Sequence, residues 1–152
     1  MSVQPPAPES VVDDGHCFAC GPNNPIGLKL RFAPAGDGVQ SEAVIPQPFQ
    51  GWRGIVHGGV VMTLLDEGMA HAAAAAGYRG VTAELTARFR APVPIAEPLR
   101  ITGRVAWRRG RVFGLEASVL AADGTLLAEG TGKFVEQGPL APGVTLGEPD
   151  GA

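Results

Sequence analysis

One stretch of this chain is out of step with everything around it. From Gly58 to Ala76 the apolar residues Val60, Val61, Leu64, Leu65, Met69, Ala72, Ala73 and Ala76 recur at three- and four-residue intervals, the spacing of one helix face. The alanine run Ala72–Ala76 favours a helix and adds little bulk, and Gly77 is a good stop. Gly68 falls in the middle of the apolar face, where glycine costs a helix about 1 kcal/mol. Close approach of a sheet would explain such a residue.

Around that helix the apolar pattern has period two. Leu28, Leu30 and Phe32 alternate with Lys29 and Arg31, and Val39–Ile45 reads as a second strand ended by Pro46 and Pro48. After the helix come Val81–Phe89, Leu99–Trp107, Phe113–Val119 and Leu126–Val135. Arg109-Gly110 reads as one turn, and Asp123-Gly124 as a two-residue hairpin. Two strands, one helix and four strands make an α+β domain: an antiparallel sheet of five to six strands packed on one helix.

The chain of 152 residues fits one such domain, and 45% hydrophobic residues can fill its core. The 22 glycines and 14 prolines cluster in turns and at the ends, so residues 1–14 and 137–152 read as flexible tails around a body at 15–136. A net charge of −3 argues against a wholly basic nucleic-acid binder. No apolar run approaches the roughly 18 residues of a membrane span. The opening lacks the basic and apolar runs of a secretion signal, and two cysteines make no disulfide framework. The expectation is a soluble cytoplasmic protein.

Three places carry candidate chemistry. His57-Gly58-Gly59 opens the helix, where unpaired N–H groups and a partial positive charge suit an oxyanion, although a plain Gly-Gly turn reads the same way. Asp66 and Glu67 border the apolar stripe on opposite sides. A carboxylate beside apolar surface has a raised pKa, which suits a general base; Asp66 reads equally as that or as a helix flank. Glu67 reads as a flank residue paired with His71, its i+4 neighbour. Cys17-X-X-Cys20, next to His16, is half a zinc site or a redox pair. With no second cysteine pair in the chain, a metal would need donors from two subunits, so free thiols packing a loop are expected and no metal.

The segment HGGVVMTLLDEGMAHA closely resembles the helix signature of the PaaI-like hot-dog-fold acyl-CoA thioesterases, in which an Asp follows the His by nine residues, as Asp66 follows His57. PFQGWRGIVHGG, GVTAELTARFRAPV with its Phe89-X-X-Pro92 end, and CFACGPNNPIGLKLRF are similar to the same family, so the resemblance runs from about Cys17 to Val135.

That resemblance implies a sheet wrapped round a central helix, and hydrolysis of acyl-CoA to free acid and coenzyme A without a cofactor. It implies Asp66 as base, or as nucleophile, and the Gly59 N–H as carbonyl donor, with His57 and Gly58 shaping the turn. Thr82 matches a water-placing Ser/Thr, and Glu67 can exchange roles with Asp66. A polar residue that some members carry before the His is replaced here by Gly51, beside Gln50. The chain around Phe49, Trp52 and the helix would set the depth of the acyl pocket. Arg88, Arg90, Arg108 and Arg109, with Arg104 and Arg111 nearby, would hold the phosphates of coenzyme A, or else form a solvated sheet face. The implied assembly is a homodimer or homotetramer with shared active sites. A hot-dog enoyl-CoA hydratase, a non-catalytic acyl-CoA-binding module and a structural zinc protein are the alternatives.

Overall fold

The computed structural model describes residues 11–140 and Leu146. Its elements run β1 (Ala33–Ala35), β2 (Gly38–Val44), a short 3-10 turn (Gln47–Phe49), α1 (Gly58–Ala75), β3 (Tyr78–Phe89), β4 (Pro98–Arg109), β5 (Val112–Ala121) and β6 (Leu126–Pro139). The six strands form one antiparallel sheet in the order β1-β2-β4-β5-β6-β3. The sheet curves round α1, which packs against every strand from β2 to β6. The expected order of two strands, one helix and four strands is what forms.

The core sits between helix and sheet. Val61, Leu64, Leu65, Met69, Ala72 and Ala73 of α1 are buried against Leu99, Ile101, Leu115, Val119, Ala128 and Phe134. Gly68 is where the helix meets β4. A Cβ there would stand 2.8 Å from the Thr102 carbonyl oxygen, and one on Gly103 would fall 1.9 Å from that of Gly68. Two glycines face each other, so two backbones touch where side chains would otherwise hold them apart. The expected reason for Gly68 is the observed one.

Several boundaries differ from the sequence reading. Leu28–Phe32 is not a strand: Lys29 has φ +55, and the Leu28 and Leu30 N–H groups donate to Phe18 and Ala19. Leu30 is buried as its alternation requires, but against the preceding loop, and the first strand is the short β1. The Asp123-Gly124 turn is a three-residue loop. The Gly124 N–H donates to Ala121, the Ala121 N–H donates to Thr125, and Gly124 takes φ +89, a type I turn followed by a left-handed glycine. The other turn centres on Gly110-Arg111, one residue beyond expectation.

The domain also runs past residue 136. β6 continues to Pro139, with Gln137 and Leu140 buried. At the other end, the Arg79 guanidinium donates to the Val11 carbonyl at 2.8 Å, which ties down part of the expected tail. The rest of both expected tails, apart from Leu146, lies outside the described residues.

β3 holds an edge of the sheet and is hydrogen-bonded on one side only, to β6. Its alternating apolar face is incompletely covered: Val81 is 38% exposed and Phe89 53%.

Candidate active site

The site begins with the turn into α1. His57 caps the helix: its Nδ1 accepts the Gly59 N–H at 2.9 Å, and its carbonyl accepts the N–H groups of Val60 and Val61. The family resemblance implies that the Gly59 N–H meets the substrate carbonyl; in this structure the His57 ring accepts it. The Gly58 N–H makes no hydrogen bond among the described residues, and space beyond its Cα is open. A groove of about 840 Å³ runs over this turn. Trp52, His57, Gly58 and Val61 line one side, and Phe89 to Val93 the other. Trp52 is 84% exposed at the groove's rim, and Gln50 closes the loop before the helix by accepting the Gly54 N–H at 3.3 Å.

Asp66 lies two helical turns beyond Gly59, about 10 Å along the axis, and does not line that groove. The Thr82 hydroxyl donates to its Oδ1 at 2.6 Å. A register shift between Thr82 and Glu84 marks an irregularity in β3 beside this contact, which period-two reading does not show. Burial pushes the Asp66 carboxyl above its ordinary value; the Thr82 hydrogen bond pulls it back, and the charge of Glu67 pushes it up again. The result is a half-buried carboxylate at the unpaired edge of the sheet, oriented by a hydroxyl.

Glu67 turns the other way. It is buried, not a flank residue, and so is His71. Their expected pairing is present, with His71 Nε2 3.3 Å from Glu67 Oε2, but inside the protein. The His71 ring stacks on Phe32 at 4.4 Å, and the Cys17 thiol points at Glu67 Oε1 from 3.9 Å. Glu67 and Asp66 therefore face different surroundings. A hydrogen bond with Cys20 is the main cause that holds the Cys17 thiol down at about 6, and the same bond, with burial, pushes the Cys20 thiol up. In the sequence this cluster shows only as the i,i+4 Glu67–His71 pair and the C-X-X-C motif.

The arginines do not form one patch within a chain. Arg88 and Arg90 stand at the end of β3, near the β5–β6 turn, and Arg90 pairs with Glu129 at 2.7 Å. Arg108 and Arg109 stand at the β4–β5 turn, the opposite end of the sheet. Arg108 lies over the Tyr78 ring at 4.2 Å and pairs with Glu136 at 3.1 Å, so it braces β6. Arg104 is shared between Asp37 and Glu116. Arg88 and Arg109 form no ion pair among the described residues.

A six-stranded antiparallel sheet curved round one central helix, with an HGG turn at the helix start and a carboxylate nine residues beyond the histidine, is the hot-dog fold. The sequence comparison is specific: the model of the thioesterase superfamily matches residues 53–128, half the chain, and this protein belongs to that superfamily. A solved thioesterase superfamily protein is 34% identical with a TM-score of 0.75, the match covering 79% of this chain and 60% of that one. The bovine acyl-coenzyme A thioesterase THEM4 is 32% identical over 91 residues, 59% of this chain and 37% of that protein. The chain thus spans little more than a third of its curated relative. PaaI of Escherichia coli, from the phenylacetic acid degradation operon, shares the fold, at 18% identity and a TM-score of 0.68 over 74% of this chain and 83% of its own. No helix among the described residues is long and apolar enough to cross a membrane.

Proposed function

We propose that this protein hydrolyses acyl-CoA thioesters to the free acid and coenzyme A, with Asp66 as the base that activates water. The observation that carries the reading is the Thr82–Asp66 hydrogen bond at the sheet edge. It fixes one carboxylate oxygen and leaves the other for a water, and burial raises the carboxyl's proton affinity toward that of a useful base. A thiolate is a good leaving group, so little acid assistance is needed. Glu67, turned toward Cys17 and His71, is a poor substitute for Asp66 in this task.

The partner of Asp66 is an oxyanion donor at the helix start, and it comes from a second copy of the chain. Gly58 and Gly59 of the same helix are about 10 Å away, too far to hold the carbonyl that Asp66-bound water attacks. The exposed apolar face and free edge of β3 support a homodimer, paired again in a homotetramer, that brings one helix start to the other chain's Asp66. The free Gly58 N–H, or the Gly59 N–H once the His57 ring swings away, then polarises the thioester. The acyl chain enters the groove beside Trp52 and Phe89, and Arg88 and Arg90 at the end of β3, joined by Arg109 of a second chain, meet the phosphates of coenzyme A. A cytoplasmic setting fits a coenzyme A substrate and two unbridged cysteines. The test is a panel of acyl-CoA thioesters assayed by thiol release. Absence of turnover on every chain length, with binding retained, would leave an acyl-CoA-binding module instead.

A further inference from the structure

On the side of α1 away from Asp66, the loop between Gly15 and Leu30 folds back onto the helix. Its core is a tight turn, Cys17 to Gly21, closed by the Gly21 N–H donating to the Cys17 carbonyl at 2.7 Å. A Cβ on Gly21 would fall 2.4 Å from the Cys17 nitrogen, so the turn needs glycine there to close this tightly. The turn brings both thiols to one side, facing Glu67. One donor atom from each of Cys17, Cys20 and Glu67 lies within 4.8 Å of the others.

Around these three, the polar groups are not satisfied. Glu67 Oε2 and His71 Nε2 are buried, and neither has a properly directed hydrogen bond despite standing 3.3 Å apart. Such atoms cost free energy unless something joins them. A cavity of about 490 Å³, lined by Asp13, His16 and Tyr78 among others, opens onto the same cysteines and Glu67.

We propose that Cys17, Cys20 and Glu67 bind one Zn²⁺-like divalent ion. In a tetrahedral zinc site, Zn–S of about 2.3 Å and Zn–O of about 2.0–2.2 Å put sulfur and oxygen about 3.5 Å apart. The 3.9 Å from Cys17 Sγ to Glu67 Oε1 needs only a few tenths of an ångström of contraction. Two thiolates and one carboxylate select a borderline-soft ion and reject Mg²⁺ and Ca²⁺, which take oxygen donors. His71 Nε2–H then holds the second carboxylate oxygen, the usual outer partner of a metal ligand. The fourth position faces the cavity and takes water.

All donors come from one chain, so no second subunit is required. Binding displaces the remaining thiol protons to solvent, with no redox change. The ion clips the loop 15–30 to α1 through Glu67, on the side of the helix away from Asp66. This holds whether or not the protein is a thioesterase.

The test uses the full chain, reduced and stripped with a chelator, titrated with Zn²⁺ against a chromophoric competitor and separately with Co²⁺. One ion per chain is expected, and the Co²⁺ form should show thiolate charge-transfer absorption and tetrahedral visible bands. Mg²⁺ should not compete. Cys20→Ser should remove much of the charge-transfer band and weaken affinity by about 100-fold or more; Glu67→Gln should weaken it about 10- to 100-fold with the sulfur band kept. As a check that needs no variant, Zn²⁺ should protect both cysteines of the wild-type chain from alkylation, read by mass spectrometry. Equal alkylation with and without Zn²⁺, a Co²⁺ spectrum lacking charge transfer, or a Cys17–Cys20 disulfide forming in air despite bound Zn²⁺ would each overturn the site.

Discussion

Replacing Asp66 by Asn removes the base and little else. The side chain keeps its shape, and the Thr82 hydroxyl still has an Oδ1 to which it can donate. A positioned general base contributes about 10²- to 10⁴-fold, so kcat should fall by that factor, about 3–5 kcal/mol of transition-state stabilisation. The fold should not suffer. Burial holds the Asp66 pKa above its unfolded value, so the native state keeps its proton longer. An acid of this kind loses stability as pH rises from the unfolded pKa through the folded one, and the charged form is a net cost at neutral pH. Asp66→Asn should therefore leave Tm at pH 7 unchanged or raised.

Thr82→Val gives the graded version. A hydrogen bond to a charged group contributes about 1.5–3 kcal/mol, and the exposure of Thr82 argues for the lower end, about tenfold in kcat/KM. Losing a donor to the charged form raises the Asp66 pKa further, so the acid limb of the pH–kcat/KM profile should move to higher pH. Steady-state thiol release across pH, with thermal melts of the same samples, measures all of this. Near-normal turnover by Asp66→Asn, or an acid limb that does not move in Thr82→Val, would refute Asp66 as the base.

Three further outcomes are expected. Light scattering at micromolar concentration should find a dimer or tetramer, and dilution to monomer should abolish activity; an active monomer would contradict a composite site. KM for acyl-CoA should rise with salt, since exposed charge pairs are screened over about 10 Å at 0.1 M, and should be higher for pantetheine substrates. Arg88→Ala and Arg109→Ala should raise KM with kcat little changed, and a KM insensitive to salt, truncation and both variants would leave these arginines as a solvated surface. Gly103→Ala drives a methyl into the Gly68 carbonyl. It should cost about 2–3 kcal/mol by overpacking, or about 5–10 °C in Tm by calorimetry.

The period of the apolar residues carried most of the fold. A helix face between 58 and 76 flanked by alternating segments leaves few antiparallel arrangements, and Gly68 even announced the point of closest contact. The HGG turn was legible as a helix start, but helix position left Asp66 evenly balanced between a base and a flank residue, and the nine-residue step was given weight only by the family resemblance.

What the chain alone could not show depends on contacts between distant residues. Alternation at Leu28–Phe32 says that alternate side chains are buried, not which backbone they pair with, and here it is the loop at 18–19. The same holds for Glu67. Helix periodicity puts it at the edge of the stripe, and only the arrival of Cys17, fifty residues earlier, turns that edge into the interior. The Gly59 N–H went to His57 through a capping rotamer that no spacing reveals. The arginines, close in composition, were sent to opposite ends of the sheet by strand register. Local periodicity is written residue by residue, because it follows from backbone geometry. Burial, partnering and the donor set of a site are properties of what packs on top, and tertiary structure alone decides them.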